Sequence, residues 1–171
     1  MRDDHIRKIV WTGLFTALTV VATIAIRIPT PTGGYVNAGD ALVILSAFIL
    51  GPGWGAFAAG FGSALADILA TYTVYAPATL IIKALMALVA ASVLKRAKKQ
   101  KSLKYSVIGG ILAELVMITG YYLFTAIFMT GSYTAALAEI PGNAVQAVFG
   151  IVVGTSLFYA LMRIPYVREH F

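Results

Sequence analysis

Cysteine is absent from this chain, which excludes disulfide bonds and thiolate metal sites and leaves the redox compartment open. Charge is scarce as well. Asp, Glu, Lys and Arg make up 12% of the 171 residues, about half the share that a soluble domain carries. Hydrophobic residues reach 60%, and the mean hydropathy is +0.86. This composition predicts an integral membrane protein.

Catalytic residues and phosphate-binding motifs are also lacking. The two histidines, His5 and His170, lie near the chain ends, and Ser63 has no local partner, so no nucleophile is matched with a base. The Gly-x-x-x-x-Gly-Lys-Ser/Thr phosphate loop is missing. We therefore expect no enzyme activity, no cofactor and no metal site.

Long apolar runs are what the chain does contain. A helix needs about 20 mostly apolar residues to cross a bilayer, and candidates occur at residues 9–28, 38–50, 54–71, 77–94, 105–129 and 143–162. The second is short, so it either borrows residues from Tyr35 onward or tilts beside a re-entrant loop. We expect an all-α integral membrane protein with six transmembrane helices, forming a single membrane domain over residues 1–171.

Basic residues set the expected orientation, because Lys and Arg near span ends stay in the cytoplasm. Apart from Arg27, at the outer end of the first span, they form three groups: Arg2, Arg7 and Lys8, a run at residues 95–104, and Arg163 with Arg168. The three groups lie on the same side of the membrane only if the number of spans is even. Both termini and the basic loop 95–104 are therefore expected in the cytoplasm, with residues 29–36, 72–76 and 131–142 outside. No other basic residues extend the run into a nucleic-acid-binding patch.

Polar residues inside the predicted spans mark a candidate site, because such residues in lipid are usually functional. Most of them fall in the outer half of the membrane, and Glu114 lies about 15 Å deep, near the midplane. Helical spacing places Glu114, Met117, Tyr121 and Phe128 on one face. The candidate substrate-binding residues are Tyr35, Asn37, Asp40, Thr79, Lys83, Glu114, Met117, Tyr121, Asn143 and Gln146. Together they predict one outward-facing cavity.

Structural roles remain open for several polar residues. Asp67 and Lys83 are equally well explained by an internal ion pair that neutralises two charges in lipid. Asn143 and Gln146 also suit hydrogen bonds between helices. The loop at 29–40, with two prolines and three glycines, suits a turn-rich lid. Tyr35 in this loop either closes over a ring-shaped ligand or anchors at the membrane interface.

Five short segments stand out in order along the chain. They are Gly34-Tyr-Val-Asn-Ala-Gly-Asp40, Leu50-Gly-Pro-Gly-Trp-Gly55, Gly62-Ser-Ala-Leu-Ala-Asp67, Tyr75-Ala-Pro-Ala-Thr-Leu-Ile-Ile-Lys83 and Pro141-Gly-Asn143. Together they resemble the substrate-binding S components of energy-coupling factor (ECF) vitamin transporters, in the branch of hydroxymethylpyrimidine, pyridoxine and riboflavin-type carriers. The resemblance implies a six-helix protein of a prokaryotic plasma membrane that captures a vitamin from outside.

The resemblance also implies partners. In this family a transmembrane T component and two ATPase subunits drive transport, and a small-xxx-small pattern on the first helix docks on the T component. Gly13 and Ala17 occupy the matching places here, with Gly-xxx-Ala instead of the usual Ala-xxx-Ala. The ligand site is implied to lie between the first exterior loop and the outer parts of the fourth, fifth and sixth helices.

The candidate residues favour one class of ligand. Asp40, Glu114, Asn143 and Gln146 are acceptors, Lys83 is a donor, and aromatic rings are available for stacking, which suits a small neutral or weakly cationic heteroaromatic ring. A bulky anion fits less well, because no Arg or Lys cluster lies near the predicted outer face. By family analogy, we expect hydroxymethylpyrimidine or a pyridoxine-like vitamer first and riboflavin second.

A stand-alone ion-coupled secondary transporter is the alternative function. Asp67, Lys83 and Glu114 would then act as an ion or proton relay through the membrane. Many such carriers contain an inverted repeat, and the sequence shows no clear one.

Overall fold

The protein is a helical bundle with a small β-hairpin after its first helix. The computed structural model describes residues 2–97 and 102–170, with side chains from His5 onward. Its elements are α1 (Arg2–Ala25), β1 (Arg27–Pro29), β2 (Tyr35–Asn37), α2 (Gly39–Leu69), α3 (Ala76–Lys95), α4 (Leu103–Phe124), a π-helical turn (Thr125–Met129), α5 (Tyr133–Ala136), α6 (Glu139–Leu161) and α7 (Pro165–His170). Lys98, Lys99 and Lys101 of the predicted basic loop lie outside the described residues.

Five helical segments of the described chain are long and apolar enough to cross a membrane. They are His5–Ala25, Gly39–Leu69, Ala76–Lys95, Leu103–Met129 and Tyr133–Leu161. Each reaches the length of about 20 residues that a helix needs to cross a bilayer. The chain is therefore a multi-pass membrane protein built mostly of helix.

The helix α2 is not a straight rod. Gly51 adopts φ 77° and ψ −176°, a backbone conformation that glycine tolerates, and Pro52 follows it. A straight helix would separate Asp40 from Asp67 by about 40 Å, yet Tyr35, just before α2, hydrogen-bonds to Asp67. The helix therefore folds back at Gly51. We call residues 39–50 its first arm and residues 52–69 its second arm, and they correspond to the second and third predicted spans.

Small residues let the two arms and their neighbours approach closely. A Cβ atom added at Gly55 would lie 2.8 Å from Cα of Ala47, so the arms meet backbone to backbone beside the turn. A Cβ at Gly60 would meet the Leu80 carbonyl oxygen, in α3, at 2.8 Å. Contacts of this kind hold helices together in lipid, where the hydrophobic effect does not drive them into contact.

The loop at 29–40 differs from the all-α expectation. The segment Arg27–Pro29 pairs antiparallel with Tyr35–Asn37 as a two-stranded sheet. Gly33, with φ 87°, forms the turn, and the Thr30 N–H donates to the Gly34 carbonyl at 2.9 Å. The spacing of proline and glycine predicts a turn, but it does not show whether the residues on either side of the turn pair as strands. The sequence therefore predicted a turn-rich lid and not a β-hairpin.

The end of α4 also departs from regular helical spacing. Its continuation, Thr125–Met129, is π-helical. A π-helical turn contains more residues than an α-helical turn, so side chains beyond it rotate away from the earlier face. Phe128 is accordingly 72% exposed, and the predicted face of Glu114, Met117 and Tyr121 does not extend to it.

The fold-back at Gly51 generates a stability prediction. We expect Gly55→Ala to lower the free energy of unfolding by about 1–3 kcal/mol, because the new methyl group would overlap the Ala47 backbone. Gly53→Ala is the matched control, since a Cβ there has nothing within 4 Å. Thermal unfolding of the purified variants in detergent measures the difference. Equal stability of the two variants would contradict the close contact between the arms.

Candidate ligand-binding site

The β-hairpin covers a polar cavity at one end of the bundle. The cavity has a volume of about 20 Å³, about the space of one water molecule. Its lining combines residues of the hairpin, the second arm of α2, α4, and the N-terminal ends of α3 and α6. These residues are Gly34, Tyr35, Asn37, Asp67, Tyr75, Thr79, Tyr121, Glu139 and Asn143. Polar groups from elements distant in sequence thus converge on one small space.

The hairpin is held over the cavity by hydrogen bonds from its second strand. The Tyr35 hydroxyl donates to Oδ1 of Asp67, and the Asn37 N–H donates to Oε1 of Gln146 at 2.6 Å. Burial, with the neighbouring Asp67 carboxylate as the next cause, raises the pKa of the Tyr35 phenol well above its usual value. Tyr35 therefore remains a neutral donor. Its hydroxyl binds Asp67 inside the protein, whereas a tyrosine anchored at the membrane interface keeps its hydroxyl at the level of the lipid head groups.

A second group of polar residues lies deeper than the cavity. Lys83 of α3 forms an ion pair with Oδ1 of Asp40, at the start of α2, and both side chains are buried. Nε2 of Gln146, on α6, donates to the other oxygen of Asp40 at 2.7 Å. One carboxylate therefore connects three helices. A charged pair in this environment is tolerated because each charge is neutralised and hydrogen-bonded.

The ion pair joins other residues than the pair considered from the sequence. An internal pair of Asp67 with Lys83 was one of two open interpretations, but in the structure Lys83 binds Asp40, while Asp67 accepts from Tyr35. The reason is depth. Asp67 and Thr79 both line the cavity, so they lie at the same level of the bundle. Lys83 is one helical turn beyond Thr79 on α3, which places it about 6 Å deeper than the cavity. The fold-back of α2 brings Asp40 to that deeper level.

Glu114 belongs to the deeper group. It is 2% exposed, and neither of its carboxylate oxygens has a hydrogen-bond partner among the described residues. It fits against α6 because position 150 is glycine: a Cβ there would collide with Oε1 of Glu114 and lie 2.9 Å from Cβ of Asp40. A buried polar group without a partner is costly. Glu114 is therefore the strongest candidate in this group for contact with something bound.

Tyr121 separates the cavity from the deeper group. Its hydroxyl is 3.0 Å from Oγ1 of Thr79, beside the cavity, while Nζ of Lys83 lies 5.2 Å from the centre of its ring. Met117, one turn earlier on α4, is fully buried. The predicted binding residues thus lie at two levels and not around one cavity. Only Tyr35, Asn37, Thr79, Tyr121 and Asn143 line the cavity.

Unpartnered polar atoms are also found around the cavity itself. In the described chain, Oδ2 of Asp67 and Nδ2 of Asn143 are buried without a hydrogen-bond partner. One is an acceptor and the other a donor, and both residues line the same space. The arrangement can bind a small molecule that offers both a donor and an acceptor.

Sequence reasoning missed Glu139 and Tyr75. Glu139 lines the cavity, is 4% exposed and accepts a hydrogen bond from Oγ1 of Thr30 at 3.1 Å. Tyr75 lines it as well. A signal for Glu139 was present, because residues 105–162 contain only two charged side chains, Glu114 and Glu139. Tyr75 had no comparable signal, since aromatic residues are common at membrane interfaces.

Comparisons with known proteins agree with the fold and the family. The family model described as "ECF-type riboflavin transporter, S component" matches residues 4–163. An uncharacterized protein in the gap 3′ region of Pyrococcus woesei is 35% identical over 144 residues, which cover 84% of this chain and 93% of that protein. The solved structure of the S component of a bacterial ECF transporter superposes with a TM-score of 0.75 at 20% identity, covering 93% of this chain and 97% of the other.

The buried ion pair generates a second prediction. We expect Lys83→Met alone to lower the free energy of unfolding by about 3–5 kcal/mol, because it leaves the Asp40 carboxylate buried without its cation. The double variant Asp40→Asn/Lys83→Met should recover most of that loss, since both charges are then removed. Thermal unfolding in detergent measures both, with the exposed Lys104→Met as control. A double variant less stable than either single variant would contradict pairing.

Proposed function

The chain belongs to the family of S components of ECF-type riboflavin transporters, and from this premise we propose that it captures a water-soluble vitamin or vitamin precursor for an ECF importer. S components are substrate-binding transport subunits and not enzymes. One observation carries the proposal: a buried donor and a buried acceptor, both unpartnered in the described chain, face one cavity beneath the β-hairpin. That cavity is the proposed capture site.

The proposed topology has six transmembrane spans with both termini in the cytoplasm. The fold-back of α2 at Gly51 supports it, because two arms plus four other long helices give an even number of crossings. The basic residues in the first turns of α1 and those after α6 then lie on one side, as the positive-inside rule requires. The β-hairpin and its cavity face the outside in this orientation.

The charges around the cavity support a neutral or weakly cationic ligand. Asp67 and Glu139 both line it. The nearest buried cation, Lys83, is already neutralised by Asp40 at the deeper level. A phosphate or carboxylate group would therefore meet two acidic side chains, while no Lys or Arg is among the lining residues in the described chain. A ring with N–H or hydroxyl donors suits the site better.

Ring size separates the candidate vitamins. The cavity is narrow, about 20 Å³, so a single ring such as hydroxymethylpyrimidine or a pyridoxine-like vitamer requires less movement of the hairpin than a three-ring flavin. We place the single ring first for this reason. Riboflavin is the second candidate, and the description of the matching family favours it.

The ligand can be identified directly. The protein is purified from a native membrane, and small molecules extracted from it are analysed by mass spectrometry, because high-affinity carriers retain their ligand. Titration with hydroxymethylpyrimidine, pyridoxine and riboflavin then ranks them by dissociation constant, with pyridoxal phosphate as the anionic comparison. Binding of none of the three would overturn the proposed ligand class. Uptake into liposomes driven by an ion gradient, without any ATPase, would favour the secondary transporter instead.

The two levels of the site generate a third prediction. We expect Asn143→Ala to weaken ligand binding by at least about tenfold, or roughly 1.4 kcal/mol, because it removes the unpartnered donor of the cavity. Glu114→Gln should have a similar effect if the ligand reaches the deeper level, and Glu169→Gln, at an exposed position of α7, is its matched control. Isothermal titration measures the dissociation constants of folded variants. Unchanged affinity would remove that residue from the site.

We further propose that the outer face of α1 docks on a T component, which acts with two ATPase subunits. The inner face packs on the bundle through Thr12, Phe15 and Thr19, whose side chains are buried. Gly13 and Ala17 lie on the opposite, exposed face, and a Cβ at Gly13 would have nothing within 4 Å. The surface of α1 is therefore shallow at these small residues, so that another helix can pack closely against it.

This docking face generates a fourth prediction. Gly13→Leu should leave vitamin binding unchanged, because the residue is remote from the cavity, but should reduce co-purification with the T component and ATPases by filling the shallow face. Ala25→Leu is the control, since it enlarges an exposed small residue on the same helix outside the Gly13 and Ala17 positions. If both variants co-purify normally, the docking surface lies elsewhere.

A further inference from the structure

A second and larger cavity lies at the opposite end of the bundle from the capture site. Its volume is about 370 Å³, within the usual range for small-molecule sites. Lys95, which lines it, and Thr79, which lines the capture site, are both on α3, about 24 Å apart along that helix. The larger cavity is therefore separate from the proposed vitamin site.

The rim of this cavity is basic. Lys8 of α1, Lys95 of α3 and His170 of α7 all contribute to its lining. No acidic side chain is among its lining residues in the described chain, and Glu169, the nearest acidic residue along the sequence to His170, is exposed. Two lysines from separate helices, with a histidine ring beside them, border one concave space and favour an anion with several acceptor oxygens, such as a phosphate group.

The floor of the cavity is apolar. Phe48 from the first arm of α2, Leu94 from α3 and Phe158 from α6 form it, and all three are buried. The rings of Phe48 and Phe158 meet edge to face with centroids 5.3 Å apart. A hydrated inorganic anion gains nothing from such a floor, whereas a molecule with both a charged head and an apolar part contacts rim and floor together.

A row of aromatic side chains, half-buried at Trp54 and exposed beyond it, leads from the cavity along the outside of the bundle. Trp54 lines the cavity, and Phe57 and Phe61 follow it at helical spacing on the second arm of α2. Phe57 and Phe61 are each 49% exposed and stack with centroids 4.3 Å apart. This row runs in the direction of the membrane interior, because α2 spans the bilayer. It provides an apolar surface on which an acyl chain can lie.

We propose that this cavity binds the phosphate head of an anionic membrane phospholipid, with its acyl chain along Trp54, Phe57 and Phe61. Charge complementarity at the rim, the apolar floor and the continuous aromatic row support this occupant over a soluble anion or an acidic protein segment. In the proposed topology the cavity faces the cytoplasmic leaflet, where anionic lipids attract basic clusters. The proposal does not depend on which vitamin the other site binds.

Tryptophan fluorescence offers a direct test, because the chain has only two tryptophans. A Trp11→Phe background leaves Trp54 as the reporter beside the cavity. The protein is placed in nanodiscs of phosphatidylcholine that contain an equal, low fraction of either brominated phosphatidylglycerol or brominated phosphatidylcholine. Bromine quenches fluorescence on contact, so stronger quenching by the anionic lipid is the expected result. Equal quenching by the two lipids would overturn the proposal.

Charge variants test the rim. Lys8→Gln/Lys95→Gln should weaken the apparent affinity for phosphatidylglycerol by about thirtyfold, since two basic residues near a membrane surface are removed. Lys104→Gln, at an exposed lysine outside the lining, should change the affinity little.

Loss of lipid binding in both the double variant and Lys104→Gln, or competition by inorganic phosphate alone, would overturn the lipid assignment. Absent lipid selectivity, together with loss of ECF partners from the double variant only, would identify a protein-docking surface and likewise overturn it. Vitamin titration of the same samples reports on the proposed function separately.

Discussion

The ion pair between Lys83 and Asp40 is the interaction on which the arrangement of the bundle depends. It is buried, and Gln146 completes it, so one carboxylate joins α3, the first arm of α2, and α6. Two opposite charges in lipid are tolerated only when they meet. The pair thereby fixes the depth at which these helices cross, and the cavity above it is formed where their ends and the β-hairpin converge.

The two ends of the bundle differ in chemistry. At one end, acidic and amide groups surround a narrow cavity, and the only buried lysine in the described chain is already paired below it. At the other end, lysine and histidine border a wider apolar cavity. This asymmetry follows the distribution of charge along the sequence, because basic residues cluster near the turns of one side while the other side has few. Substrate capture and membrane contact are thus proposed at opposite ends of one helical scaffold.

Several expectations from the sequence agree with the structure in detail, and others fail for identifiable reasons. The apolar runs correspond to the long helices, and the resemblance to S components is confirmed by the family model. The internal pair of Lys83 with Asp67, one of two open interpretations, does not form, because helical spacing says nothing about the relative depth of residues on different helices. Phe128 does not lie on the predicted face of α4, because the π-helical turn at the end of α4 interrupts the regular α-helical spacing. Glu139 was missed although it is one of only two charged residues between 105 and 162.

The sequence by itself determined that the protein lies in a membrane, where its long helices are and which family it belongs to. Hydropathy and the order of motifs are properties of the linear chain, so they do not depend on how the helices pack. It also placed the binding candidates near one end, because polar residues in lipid are few and their positions within spans are countable. Only the tertiary structure decided that Asp40 neutralises Lys83, that Glu114 lies against Gly150 without a hydrogen-bond partner in the described chain, and that the candidates divide into two levels. These facts depend on the fold-back at Gly51 and on the heights at which helices pack, and close contact between distant segments leaves no periodic signal in one sequence.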